Sequence, residues 1–166
     1  FADAAGNLLP AQKTAGGYQV LATLPALSVQ TLTFKKTKRT ADSSPFRADM
    51  AGRRLETPFY LLSWNADGQL DRLYDKQNRR EVVPHDGLAN VLEVYEDKPL
   101  NFDAWDIDLF HIQKKEVLPA RSVALTENGP LYAVIRFTYV YSRSLIIQDM
   151  IVYAHSRRID FRTSVD

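Results

Sequence analysis

Four aspartates, a lysine and a tryptophan fall between Asp97 and Asp108. The segment Glu96-Asp97-Lys98-Pro99-Leu100-Asn101-Phe102-Asp103-Ala104-Trp105-Asp106-Ile107-Asp108 has no clean period of 2 or 3.6, so it reads as a loop. A plain connection would be built from Gly, Asn and Ser. This one carries a large ring and several acids, the composition of a sugar-contacting loop: a flat apolar face for a pyranose and carboxylates for its hydroxyls. Asp97, Lys98, Asp103, Trp105 and Asp106 are the candidate substrate-side residues. The plainer account is an ordered loop whose Trp plugs the core edge and whose aspartates cap turns.

Retaining glycosidases place two carboxyl groups about 5–5.5 Å apart. Asp103 and Asp106 are three residues apart, but spacing in an irregular loop fixes no distance, and no catalytic residue is assigned. Glu93 or Glu96 with His111 is the nearest acid and base set for an epimerase, and its spacing gives that chemistry no support. Arg157, Arg158 and Arg162 could clamp an anion; alternation puts Arg158, Asp160 and Arg162 on one strand face, which favours a cross-strand ion-pair ladder. Tyr139, Tyr141 and Tyr153 read as packing residues before they read as a sugar platform. His85, His111 and His155 lack metal-ligand spacing, and no metal site is expected.

The elements that must position this loop are strands. Residues 18–24 and 28–34 each alternate apolar and polar residues, which predicts two strands of a small β unit over 1–36. Residues 37–54 read as a basic polar linker; Lys35, Lys36, Lys38, Arg39, Arg47, Arg53 and Arg54 lie there or just before it, without the aromatic ladder of a nucleic-acid surface. From Leu55 the pattern is strand after strand. Predicted are 59–64, the hairpin turn Asp67-Gly68, 69–74, 80–83, 90–95, 112–118, 122–126, 131–139, 145–153 and 158–165. Within 131–139, Leu131, Ala133, Ile135, Phe137 and Tyr139 share one face. The chain is therefore expected to be all-β, an antiparallel sandwich with at most a turn or two of helix.

Several phrases together carry a resemblance. Asn65-Ala66-Asp67-Gly68-Gln69-Leu70-Asp71-Arg72-Leu73-Tyr74-Asp75-Lys76, the loop 96–108, and Arg157-Arg158-Ile159-Asp160-Phe161-Arg162-Thr163-Ser164-Val165-Asp166 occur in an order and spacing that resemble the C-terminal region of family 38 glycoside hydrolases, the retaining α-mannosidases. The resemblance covers roughly residues 16–166. It implies that 55–166 is the N-terminal part of a galactose mutarotase-like β-supersandwich, incomplete here. It also implies mannosides or mannose-containing oligosaccharides as the parent's substrates, and a separate N-terminal barrel that holds the catalytic carboxylates and zinc. On that reading the chain itself turns nothing over, buttresses the barrel and lends loop 96–108 to the active-site rim. The rival from another class is a free-standing carbohydrate-binding module that uses Trp105.

Composition bounds the rest. The 166 residues are 45% hydrophobic, enough for a packed core, and 21 Lys+Arg balance 20 Asp+Glu. That balance favours neither nucleic acid nor an anionic membrane. Cysteine is absent, which fits a reducing, cytoplasmic setting. No apolar run approaches the ~20 residues of a membrane span. The missing initiator Met suggests a piece of something longer. An uncovered last strand would leave a homo-oligomer open.

Overall fold

The computed structural model describes residues 1–34 and 43–166. Among these residues every regular element is a strand except one 3₁₀ turn, Leu109–Gln113. An N-terminal hairpin joins β1 (Ala11–Thr14) to β2 (Gly17–Val20). A five-stranded antiparallel sheet follows in simple chain order: β3 (Arg47–Asp49), β4 (Arg54–Glu56), β5 (Tyr60–Trp64), β6 (Leu70–Asp75) and β7 (Arg80–Glu81). A two-stranded ribbon, β8 (Glu93–Tyr95) with β9 (Lys115–Val117), brackets the acidic loop. The chain ends in a four-stranded meander, β10 (Ser122–Asn128), β11 (Tyr132–Tyr141), β12 (Ser144–Tyr153) and β13 (Ile159–Val165).

The two larger sheets face each other across one apolar core, as a sandwich requires. Period-2 geometry sends Ala133, Ile135, Phe137 and Tyr139 of β11 into it, where Met150 and Val152 of β12 join them. Leu55, Leu62 and Trp64 come from the other sheet, and the Trp64 and Phe137 rings meet edge to face at 6.2 Å. The expected face of 131–139 holds except for Leu131, which packs in a second cluster with Tyr132 and Val134. The Asp67-Gly68 turn forms as expected. Asn65 accepts the N–H groups of Asp67 and Gln69 at 3.0 Å, and Gly68 adopts φ +78°. A Cβ at Gly68 would lie 2.6 Å from that of Ala120, so glycine also lets the turn sit against the core.

Three expectations need correction. The first strands are Ala11–Thr14 and Gly17–Val20, not 18–24 and 28–34. Gly16 and Gly17 turn the chain earlier, and among the described residues the alternating 28–34 segment has a single bridge, from Thr33 to Ala2. The supposed linker 37–54 divides: 37–42 lie outside the described residues, while 47–49 form β3. Phe46 is buried and Ala48 and Met50 pack on the core, a period-2 apolar set hidden among charges. Finally, 90–95 and 112–118 yield only the three-residue strands β8 and β9, and Leu109–Gln113 coils into the 3₁₀ turn.

Candidate functional site

Loop 96–108 is held at its base and free at its tip. Leu92 and Leu118 join ribbon to core, with the Leu118 N–H donating to the Leu92 carbonyl at 2.9 Å. On the ribbon, Lys115 donates to Glu93 at 2.8 Å. Lys98 and Lys114 both pair with Glu96. Hydrogen bonds from Lys114 and then Lys98 bring the Glu96 carboxyl down to about 2. The tip is closed by backbone bonds. The Leu100 N–H donates to the Asp108 carboxylate at 2.6 Å, and the Phe102 carbonyl accepts from Trp105 and Asp106 at 2.7 and 3.0 Å. His111 donates through Nδ1 to the Asp108 carbonyl at 2.7 Å and packs against the Tyr95 ring.

The structure thus gathers Asp97, Lys98, Asp103, Trp105 and Asp106 on one excursion, all five exposed. Trp105 is 87% exposed, so its ring does not plug the core edge. Asp97, Asp103 and Asp106 make no side-chain hydrogen bond or ion pair among the described residues, and Lys98 is spent on Glu96. Leu100, Phe102, Ile107, Leu109 and Ile112 are exposed beside them, an unusual density of apolar surface. Glu96 and Asp108, which shape the loop, stood outside the set of five. Their distinguishing feature is position, one at each end of the segment. The Glu93, Glu96 and His111 set does not assemble a general base: hydrogen bonds from Lys115 and Tyr95 hold Glu93 below the usual carboxylate range, and those from Lys114 and Lys98 lower Glu96 as well. Among the described residues no group of three or more His, Asp or Glu side chains is arranged to hold a metal.

Two buried aspartates do a different job. Asp75, at the end of β6, accepts the Gln77 and Asn78 backbone N–H groups on one oxygen, each at 3.1 Å. Its other oxygen takes Asn78 Nδ2 at 2.7 Å and the Arg157 guanidinium at 2.5 Å. Burial pushes this carboxyl up, but the Asn78 and Arg157 bonds outweigh burial and bring it to about 2. Arg157 also bonds Gln77, and its carbonyl accepts from the Tyr60 hydroxyl at 3.0 Å, so this cluster stitches the two sheets together. Asp149 on β12 lies between Arg136 of β11 and Arg162 of β13, its register partners. Arg136 forks onto both oxygens at 2.7 and 2.9 Å, and Arg162 reaches one at 3.3 Å. This is the expected ladder, with Asp149 rather than Asp160 at its centre; Asp160 pairs with Arg158 and Tyr153.

The model of the glycosyl hydrolases family 38 C-terminal domain matches residues 55–166, from β4 through the last strand. The chain belongs to that family. Alpha-mannosidase G of Dictyostelium discoideum is 32% identical over 119 residues, which are 68% of this chain and 11% of that protein. The family 38 segment therefore covers the sandwich from β4 onward, the acidic loop and both buried aspartates. The chain spans about a tenth of the length of the curated relative it matches.

Proposed function

We propose that this chain is part of a retaining α-mannosidase that hydrolyses terminal α-mannosyl linkages, and that loop 96–108 contributes to the rim of its active site. The observation that carries the reading is the 32% identity to Alpha-mannosidase G together with the family match. The catalytic carboxylates and zinc would sit in a separate barrel of the parent, as the family 38 resemblance implies. This chain's share is binding and support. Asp97, Asp103 and Asp106, exposed and without a side-chain partner among the described residues, are acceptors for sugar hydroxyls or for a barrel side chain, and Trp105 offers an apolar face. The lack of cysteine supports a cytoplasmic setting. The exposed Trp105 ring also favours the second reading, a carbohydrate-binding module that acts without a catalytic partner.

The test is Asp103→Asn and Asp106→Asn in the intact enzyme. A charge-assisted contact made in the transition state predicts a loss of kcat/KM of about ten- to a hundredfold, with thermal stability unchanged. Unchanged kcat/KM in both variants would reduce the loop to scaffolding. Isolated residues 1–166 should leave an aryl α-mannoside intact with or without added zinc; reproducible turnover would overturn the placement of catalysis elsewhere.

A further inference from the structure

The N-terminal hairpin packs over the four-stranded sheet and leaves open space beside it. Gln12 anchors it: its buried side-chain oxygen accepts the Leu131 and Tyr132 N–H groups, each at 3.1 Å. Gly129 permits that approach, since a Cβ there would fall 2.3 Å from Gln12 Cδ. The β1–β2 hairpin is thereby fixed over the outer face of the four-stranded sheet. Two neighbouring cavities of about 250 and 210 Å³ open between hairpin and sheet, and both are lined by Gln19, Tyr132 and Tyr153. The larger of the two, which Glu127 and Arg162 also line, lies just below the ~300 Å³ lower end of small-ligand pockets.

The chemistry of the lining is specific. Val134 and Ile151 supply apolar surface beside two tyrosine rings whose centroids lie 6.5 Å apart. The Tyr132 hydroxyl donates to one oxygen of Glu127 at 2.7 Å and leaves the other to accept. Arg162 spends a single N–H on Asp149, at 3.3 Å, so most of its fork is unspent among the described residues. The Gln19 carboxamide has no hydrogen bond among the described residues. A donor, an acceptor and a group that is both therefore converge over apolar surface. Glu127 repels an anion and Arg162 a cation, whereas a neutral polyol satisfies both.

We propose that this cleft binds one neutral hexopyranose unit, with Gln19, Glu127 and Arg162 on its hydroxyls and the Tyr132–Tyr153 pair against its apolar edge. The inference rests on the mannoside reading only for the choice of sugar to test.

The experiment titrates the ¹⁵N-labelled 166-residue chain with methyl α-D-mannopyranoside to roughly 50 mM, the range that reveals a weak single-sugar site. Saturable shifts are expected at the Gln19 side-chain amide, the Arg162 Nε–H and the Tyr132 and Tyr153 backbone amides. Arg162→Gln should weaken binding about tenfold and Gln19→Ala about threefold, as loss of a charged and a neutral hydrogen bond implies. Arg72→Gln, on β6 of the other sheet, should leave binding unchanged. Gln19→Ala alters an exposed hairpin residue, so it keeps the test valid if Arg162→Gln disturbs the sheet. Absence of saturable shifts overturns the proposal, as does binding that neither cleft variant weakens. Shifts confined to Trp105 and its neighbours would place the sugar on the loop, overturning the cleft and leaving the proposed function standing.

Discussion

The four-stranded sheet and loop 96–108 use the same residue types to opposite ends. In the sheet, Asp149 is buried and held by two arginines, and the Phe137 ring is fully covered. In the loop, Asp103 and Asp106 are exposed and unpaired among the described residues, and Trp105 is among the most exposed apolar side chains. A buried charge must be paired to be tolerated and a buried ring stabilises through the water it sheds, so the sheet's residues are accounted for by folding alone. The loop's residues are not. Their side chains add little to the fold of this chain, and that is the structural argument for seeking their role in binding.

The largest expected effect tests the sheet side. Phe137→Ala removes a ring that packs against Trp64 and the Gly68 turn. It should cost about 3–5 kcal/mol in urea denaturation, the range for a large core aromatic replaced by alanine. A cost under about 1 kcal/mol would mean that the two sheets do not share one core.

Next comes the ladder. Asp149→Ala strands Arg136, and the expected loss is about 1–3 kcal/mol, held below the fully buried range because the Arg136 side chain is 42% exposed. The pH dependence sharpens this. The Asp75 carboxyl lies at about 2 in the folded chain against an ordinary 3.8. The unfolded state therefore binds more protons between those values, so Asp75's contribution is fully present above about 4 and is lost as pH falls towards about 2. Thermal melts should show wild type and Asp75→Asn drawing together across that window. A gap that persists at the lowest pH would assign the effect to shape and not charge.

A smaller effect should run the other way. The Tyr139 hydroxyl is buried without a hydrogen-bond partner among the described residues, and burial pushes it up to about 12. Tyr139→Phe removes an unsatisfied polar atom and keeps the ring, so stability should rise by about 1 kcal/mol. A loss of that size would reveal a partner such as an ordered water.

The same contrast explains what the amino-acid sequence could and could not reveal. The meander from 131 to 165 is legible because long strands with one buried face alternate strictly, and register follows from that alternation. Strand β3 was hidden because its core set, Phe46, Ala48 and Met50, is short and wrapped in basic residues. Residues 28–34 misled for the converse reason: alternation describes a strand's faces but does not supply a partner strand. The burial of Asp75 and Asp149 was also out of reach, since it depends on which distant arginine closes over them. The loop's existence was readable from its lack of period, whereas the clamps at Glu96 and Asp108 needed the fold to bring their partners near.

The smallest expected effect is the most discriminating. Trp105→Ala deletes the largest side chain of the loop, and a buried tryptophan so treated would cost about 3–5 kcal/mol. Here the ring is 87% exposed, so nearly all of its apolar area is already in water and little transfer free energy is lost. The backbone bonds that close the tip, from Trp105 and Asp106 to the Phe102 carbonyl and from Leu100 to Asp108, do not involve the indole. The expected change in stability of this chain is within about 0.5 kcal/mol, the usual range for a surface substitution. Urea denaturation of the purified chain measures it, with Phe137→Ala as the reference. A loss above about 2 kcal/mol would show that the indole packs on the sandwich in solution and would collapse the distinction between loop and sheet. A null effect on this chain, set beside a fall in kcat/KM for the same substitution in the intact enzyme, would locate the ring's work outside the fold and on the substrate side.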